Sequence, residues 1–282
     1  MAIVRASALL LVIASLGVTS RSGAEAAVRK KVYADFGYVL VDPRDVSSAV
    51  DEGKAVQDAA KRVLELSAIR FAVVEEGSFG TSWGQMKNGY VVYPWPFPNG
   101  LRKRTSRPAI KVLRHEVGHD LFQRYFVPKS RIDQYGTDAP DWLDEMAAIA
   151  FEGPGEQAER RRNIRSGIAQ GTLLPLSRLL SMVHPEFGPS SSLGKNAIIV
   201  TSSPTSGDTI LFYLTIQAFY DFLRSQTGSD AIVVEIAAAF RRGDDLTMWI
   251  ARRVGIDTGV GCLERLDDRF LQWLTADPRY TR

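Results

Sequence analysis

Cysteine is nearly absent. The 282 residues contain one, Cys262, so the chain forms no internal disulfide and is not a disulfide scaffold. Histidine is scarce too, with three in the sequence. No charge sign dominates: 35 lysines and arginines against 32 aspartates and glutamates leave a formal net charge of +3. So mild an excess makes no case for nucleic acid as a partner, and no nucleic-acid-binding motif accompanies it. Beyond the N-terminal stretch no apolar run reaches the ~20 residues that a membrane-spanning helix needs. Gln217, Asp221 and Glu235 interrupt the two longest. No internal repeat is visible. What is present is an ordinary globular balance, 45% hydrophobic and 24% charged, which excludes a disordered or collagen-like chain.

Residues 1–26 read as an export signal. Arg5 supplies a positive start, residues 6–18 form an apolar run of about 13 residues, and Ala24 and Ala26 are small residues at the two positions that signal cleavage requires. Cleavage after Ala26 predicts a periplasmic or secreted chain with no stable membrane span. Left uncleaved, the same segment would be a membrane anchor. A single cysteine fits a compartment where disulfides are allowed but not required. Residues 27–282 are expected to form one domain, α/β over 27–153 and helical over 154–282.

Residues 30–41 alternate weakly, as one strand would. Helical spacing marks 51–66, and a short β-branched and aromatic run marks a strand at 69–74. Residues 78–89 are rich in Gly, Ser and Asn and read as a loop. A strand follows at 90–93, stopped by Pro94, Pro96 and Pro98; since proline cannot donate to a ladder, this strand is expected at a sheet edge. Helices are predicted at 106–126, from Pro140 to Gly153-Pro154, and over 157–169, 173–183, 209–225, 231–242, 246–254 and 262–274, with a loop at 187–208. The fold class is α+β.

The helix after Pro108 carries His115-Glu116-Val117-Gly118-His119, an H-E-x-x-H motif. Residues four apart stack on one helix face, so both imidazoles reach one metal ion, zinc above all. Glu116 is one step round the helix, placed to act as general base on water rather than as a ligand. With three histidines, a chance match is on the order of one in a thousand.

A catalytic zinc usually takes three protein ligands. A closely spaced third histidine is excluded, because residues 120–125 hold none and His184 lies 65 positions beyond His119. Carboxylates remain: Asp133 and Asp138 in a polar turn, Glu145 on the next helix, and Glu152 at that helix's end. On a helical wheel Trp142, Leu143, Met146, Ala147, Ile149 and Ala150 form the buried face, with Glu145 at its edge and Asp144 pointing away. A half-buried acid calls for a cation, either an arginine or a metal. The two-helix geometry favours the metal.

Asp141-Trp142-Leu143-Asp144-Glu145-Met146-Ala147 resembles the W-L-x-E-[G/A]-x-A helix of gluzincin metallopeptidases, the thermolysin-related peptidase MA group. Met146 departs from the glycine or alanine usual there. The resemblance implies Glu145 as third zinc ligand and Glu116 as the catalytic glutamate. It implies a small mixed sheet whose edge strand packs on the H-E-x-x-H helix and binds the substrate backbone; Gly89, Tyr90, Val91, Val92 and Tyr93 stand in that place. A helical half follows in that family, and the helix around Tyr213, Phe219 and Leu223 is similar to its Y-x-Q-[A/S]-x-x-F-x-x-[Y/F]-L pattern, with Gln217 displaced by two. Tyr213 becomes the candidate for holding the tetrahedral intermediate, beside the plainer reading of a buried aromatic in a helix seam. His184 is a weaker candidate for the same role, with no matching motif around it.

Arg102, Lys103, Arg104, Arg107, Lys111 and Arg114 cluster before and on the motif helix, and such a cluster is more often a solvated face than a substrate patch. Taken together, the sequence predicts an exported zinc metallopeptidase with one zinc per chain, acting on a peptide or protein substrate. The alternative is a zinc-holding, peptide-binding envelope protein with little turnover. Intact Glu116 weighs against that alternative.

Overall fold

The stretch 30–41 folds back on itself. Lys30–Ala34 (β1) and Gly37–Val41 (β2) form an antiparallel hairpin with Ala34 opposite Gly37, so Asp35-Phe36 is a two-residue turn. Phe36 at this turn is fully buried and stacks on Phe71 at 4.6 Å between ring centroids. A large apolar residue in the turn thus pins the hairpin to the core instead of leaving one straight strand. The computed structural model describes residues 29–75, 84–95, 107–130, 136–169, 173–185 and 206–281. The export signal, Asp133, Arg102 to Arg104 and most of the expected 187–208 loop lie outside these.

Helix α1, Val46–Leu64, buries Ala49, Val56, Ala59, Ala60, Val63 and Leu64 on one face and ends at Glu65 in a left-handed conformation. The chain returns as Phe71–Glu75 (β3), parallel to β2. Gln85–Lys87 (β4) and Tyr90–Trp95 (β5) complete a five-stranded sheet of order β1-β2-β3-β5-β4.

This order corrects two expectations. The strand containing Tyr90, Val91, Val92 and Tyr93 is not at an edge: β5 pairs with β3 on one side and β4 on the other, and Gly89 lies in the turn before it. Val91, Val92 and Tyr93 are buried. With both ladders occupied as far as Val92, these residues do not offer a free backbone to a substrate. The edge is β4, hidden in sequence inside an apparent loop. Its turn is Asn88-Gly89, both with positive φ, as a two-residue hairpin turn requires. Nor does Pro94 stop the strand, since its partner on β3 is Val74. The Val91 N–H points to β3 and the Val92 carbonyl points to β4, so alternation turns the Pro94 nitrogen towards the β4 side. β4 pairs no further along than Val92, so no ladder hydrogen bond is lost there.

The remaining elements are helical. They are α2, Arg107–Tyr125; α3, Asp141–Phe151; α4, Pro154–Ala169; α5, Leu176–Ser181; α6, Ser206–Thr227; α7, Ile232–Arg241; α8, Leu246–Arg253; α9, Cys262–Ala276; and α10, Pro278–Thr281. The expected loop at 187–208 therefore gives way to helix from Ser206. Cys262 is buried and unpaired. One apolar core runs from Phe36 in the hairpin to Tyr280 in the last helix, so the sheet and the helices share it. Buried Asp221 on α6 closes the C-terminal end: it accepts from Arg161 (2.6 and 2.9 Å) and from the Tyr280 hydroxyl (2.5 Å). Among the described residues no helix is long and apolar enough to cross a membrane.

Two contacts set α2 in place. Arg114 donates to both oxygens of buried Glu52 on α1, each at 2.7 Å, so it is a clamp rather than part of a solvated face. At Gly118 the motif helix crosses α3 so closely that a Cβ would stand 2.8 Å from the Ala148 Cα and 3.3 Å from the Ala147 carbonyl oxygen. Gly118→Val should therefore force α2 and α3 apart and cost about 3 kcal/mol, the upper part of the overpacking range. Urea unfolding of the variant checks this, and an unchanged midpoint would show that the crossing has slack.

Candidate metal centre

The approach at Gly118 brings the motif histidines to Glu145. All ten residues from Trp142 to Phe151 are buried, so α3 has no solvent face, and its acids must be accommodated inside. Glu145 is fully buried. Each of its carboxylate oxygens faces one of the motif imidazoles: Oε2 lies 3.4 Å from His115 Nε2 and Oε1 lies 3.5 Å from His119 Nε2. The two Nε2 atoms are 3.2 Å apart.

This donor set fits a tetrahedral cation. Zinc bonds of ~2.0–2.1 Å at tetrahedral angles put ligand atoms about 3.3 Å from one another; the two Nε2 atoms lie close to that spacing from each other, and each lies close to it from a different oxygen of Glu145. His115, His119 and Glu145, offering one ligand atom each within 4.8 Å of one another, could hold a metal ion. Two nitrogens and one carboxylate oxygen suit zinc better than the all-oxygen preference of calcium or magnesium.

The outer nitrogens are held as well. His115 Nδ1 lies 3.0 Å from Glu152 Oε1, and His119 Nδ1 lies 3.2 Å from Asp144 Oδ2. A carboxylate on Nδ1 fixes the tautomer that presents Nε2 to an ion. Neither partner has this role on the helical wheel. Asp144 does not point away, because a helix buried all round has no outward side. Glu152, at the helix end, is buried and also pairs with Arg160.

The charges follow from the burial. Burial opposes a proton on His115, but Glu145 and Glu152 outweigh it and push its pKa up to about 10. His119 is raised against the same opposition by Asp144 and Glu145. Burial would raise Glu145, yet the imidazoles hold it well below the usual carboxylate range. Without a metal, His115 thus holds a second ring proton at neutral pH, which an ion must displace.

His184 is the residue that sequence placed least well. It is 1% exposed, its backbone N–H donates to Asp141 Oδ2 (2.6 Å), and its Nε2 lies 3.2 Å from Glu145 Oε1 and 2.9 Å from the Tyr213 hydroxyl. Burial, partly offset by that N–H, pushes Asp141 up to about 6. No signal along the chain tied His184 to the centre. Tyr213 is not sealed in a seam: with His115 and half-buried Glu116 it lines a cavity of about 490 Å³. The structure thus gathers His115, Glu116, His119, Glu145 and Tyr213. It leaves Gly89 to Tyr93 in the sheet.

Neither a comparison with protein-family models nor one with curated proteins gives a match to this chain.

Two outcomes are expected of the metal centre. Asp144→Asn and Glu152→Gln should each weaken zinc by roughly 10–100-fold, whereas His119→Ala or Glu145→Ala should remove it; titration against a chelator of known affinity reads both. Zinc affinity should also fall as pH is lowered, because both histidines are raised and protons compete for their nitrogens. Zinc affinity independent of pH between 6 and 8 (roughly the span of an unperturbed histidine) would contradict this arrangement.

Proposed function

We propose that the protein is an exported zinc-dependent metallopeptidase of gluzincin type. The observation that carries this reading is the His115–His119–Glu145 cluster with Glu116 beside it at the wall of a cavity. The signal-like segment at 1–26 supports export, and the likeness of residues 141–147 to the gluzincin ligand helix supports the class.

His115, His119 and Glu145 would hold the ion, with Glu152 and Asp144 fixing the two rings. A zinc ion there would supply Lewis acidity towards a carbonyl and towards water. Glu116 takes a proton from the attacking water on its carboxylate and returns it to the leaving amine. Glu145 accepts from His184 Nε2, which therefore carries a proton; the same proton reaches the Tyr213 oxygen, so the Tyr213 O–H is the group that donates. It donates to the substrate carbonyl oxygen as negative charge develops there. His184 acts as the positioning residue for that hydroxyl.

Glu116→Gln keeps the shape of the side chain and removes the base. Zinc content should stay near one per chain while cleavage of a peptide library falls at least ~10²-fold. Tyr213→Phe should lower kcat by ~10²-fold with little change in KM, since its hydroxyl acts mainly as charge develops. Wild-type protein that binds zinc and peptide but cuts no member of a broad library would replace this reading with that of a peptide-binding envelope protein.

A further inference from the structure

The two motif histidines are held from unlike pieces of backbone. His119 is met by Asp144, which stands inside α3. His115 is met by Glu152, which stands just past its end. There the helix has stopped: the Glu152 backbone is extended (φ −59°, ψ 153°), and its N–H turns back to the Ile149 carbonyl at 3.1 Å. Helical bonding therefore sets Asp144 but does not by itself set Glu152.

What sets it comes from α4. Gln157 is buried, and its Nε2 donates to two carbonyls: Ile149 in the last turn of α3 (3.3 Å) and Glu152 itself (3.2 Å). Its Oε1 accepts from Arg161 Nη2 at 3.2 Å. The amide satisfies this set in one orientation only, since turned over it would press an oxygen against both carbonyls. Arg161 is fixed in turn by its fork on buried Asp221 of α6, which also accepts from the Tyr280 hydroxyl. The bonds thus run without a break from Tyr280 to the Glu152 backbone, and the Glu152 carboxylate reaches His115 Nδ1. Arg160, next to Arg161 on the same helix, pairs with that carboxylate as well.

We propose that Gln157 is a positioning residue of the metal centre: it holds the Glu152 backbone where the carboxylate can fix the His115 ring, while the His119 ring depends on no such brace. Metal ligands are oriented by the groups on their outer nitrogens, so a loosened Glu152 turns His115 Nε2 away from Glu145 and the ion. The assignment rests on the zinc reading of the centre for its effect on metal, but not for its effect on the His115 ring.

Breaking Arg161 from Asp221 would strand a buried charge and endanger the fold, so the test is made at Gln157. Gln157→Met keeps the length of the side chain and removes its three side-chain hydrogen bonds. Gln157→Asn, too short to span from Arg161 to the carbonyls, carries the same outcomes if the methionine variant does not fold. Zinc is titrated against a chelator in the mature protein. Affinity should fall ~10-fold in Gln157→Met. Added to Glu152→Gln, the same change should cost less than ~2-fold more, whereas added to Asp144→Asn it should cost its full ~10-fold. A lowered urea midpoint with unchanged zinc affinity overturns the proposal and leaves Gln157 a cap of α3. Equal further losses on the two backgrounds overturn it too, because Gln157 would then not act through Glu152.

A second readout needs no metal. At one neutral pH the His115 Nδ1–H, donating to Glu152, should exchange slowly with solvent in nitrogen-15-resolved spectra, and Gln157→Met should speed that exchange ~10-fold. The His119 ring signals should stay in place. If wild-type protein binds no zinc while this exchange difference persists, the brace stands and the zinc reading falls. If wild-type protein binds zinc and the variant changes neither affinity nor exchange, the brace falls and the zinc reading stands.

Discussion

The centre depends on how closely two helices cross. A carboxylate on α3 reaches two imidazoles on α2 only because Gly118 has no side chain to hold the helices apart, and because Ala147 and Ala148 face it. Small residues at this crossing trade side-chain burial for backbone proximity. The trade is tolerable because both flanks are well packed: Leu113, Val117, Leu121 and Phe122 on one helix and Trp142, Leu143, Met146 and Phe151 on the other are buried. The clamp of Arg114 on Glu52 and the bond from Tyr93 to Asp120 (2.7 Å) fix α2 against α1 and the sheet. The sheet thus acts as a foundation for α2 and supplies none of the donor atoms.

That crossing also concentrates acid where acid is expensive. Asp144, Glu145 and Glu152 are all buried, and buried carboxylates persist only with partners. Here each is set against an imidazole nitrogen, and the two outer ones leave both Nε2 atoms turned towards Glu145. Replacing one carboxylate by a neutral group would strand the rest in a low-dielectric interior, so the arrangement stands or falls together. A divalent cation held there would relieve the problem by neutralising Glu145 and displacing the proton held on His115.

Residues 115–119 and Glu145 are legible in the sequence because helical spacing turns four and five positions into geometry, and because an acid beside Trp142 and Ile149 needs a partner. Other features are hidden for identifiable reasons. The helical wheel gives Asp144 a solvent face that does not exist, since α3 is buried throughout; its high apolar content is the available signal. β4 is three residues long and lacks apolar alternation, yet Asn88-Gly89 marks its turn. The expected edge position of β5 rests on Pro94, a valid rule applied without knowing which way the proline nitrogen turns. His184 joins the centre only through tertiary packing across 39 residues from Glu145, which no local pattern encodes.

We propose that His115, His119 and Glu145 bind one ion through two nitrogens and an oxygen. X-ray absorption at the zinc edge of protein purified without added metal tests it most directly. The predicted spectrum has an average of four nitrogen and oxygen neighbours at about 2.0–2.1 Å with imidazole scattering from two rings, and one ring fewer in His119→Ala if any zinc remains. Absence of zinc that added metal does not restore, or a shell containing sulfur, would contradict the account.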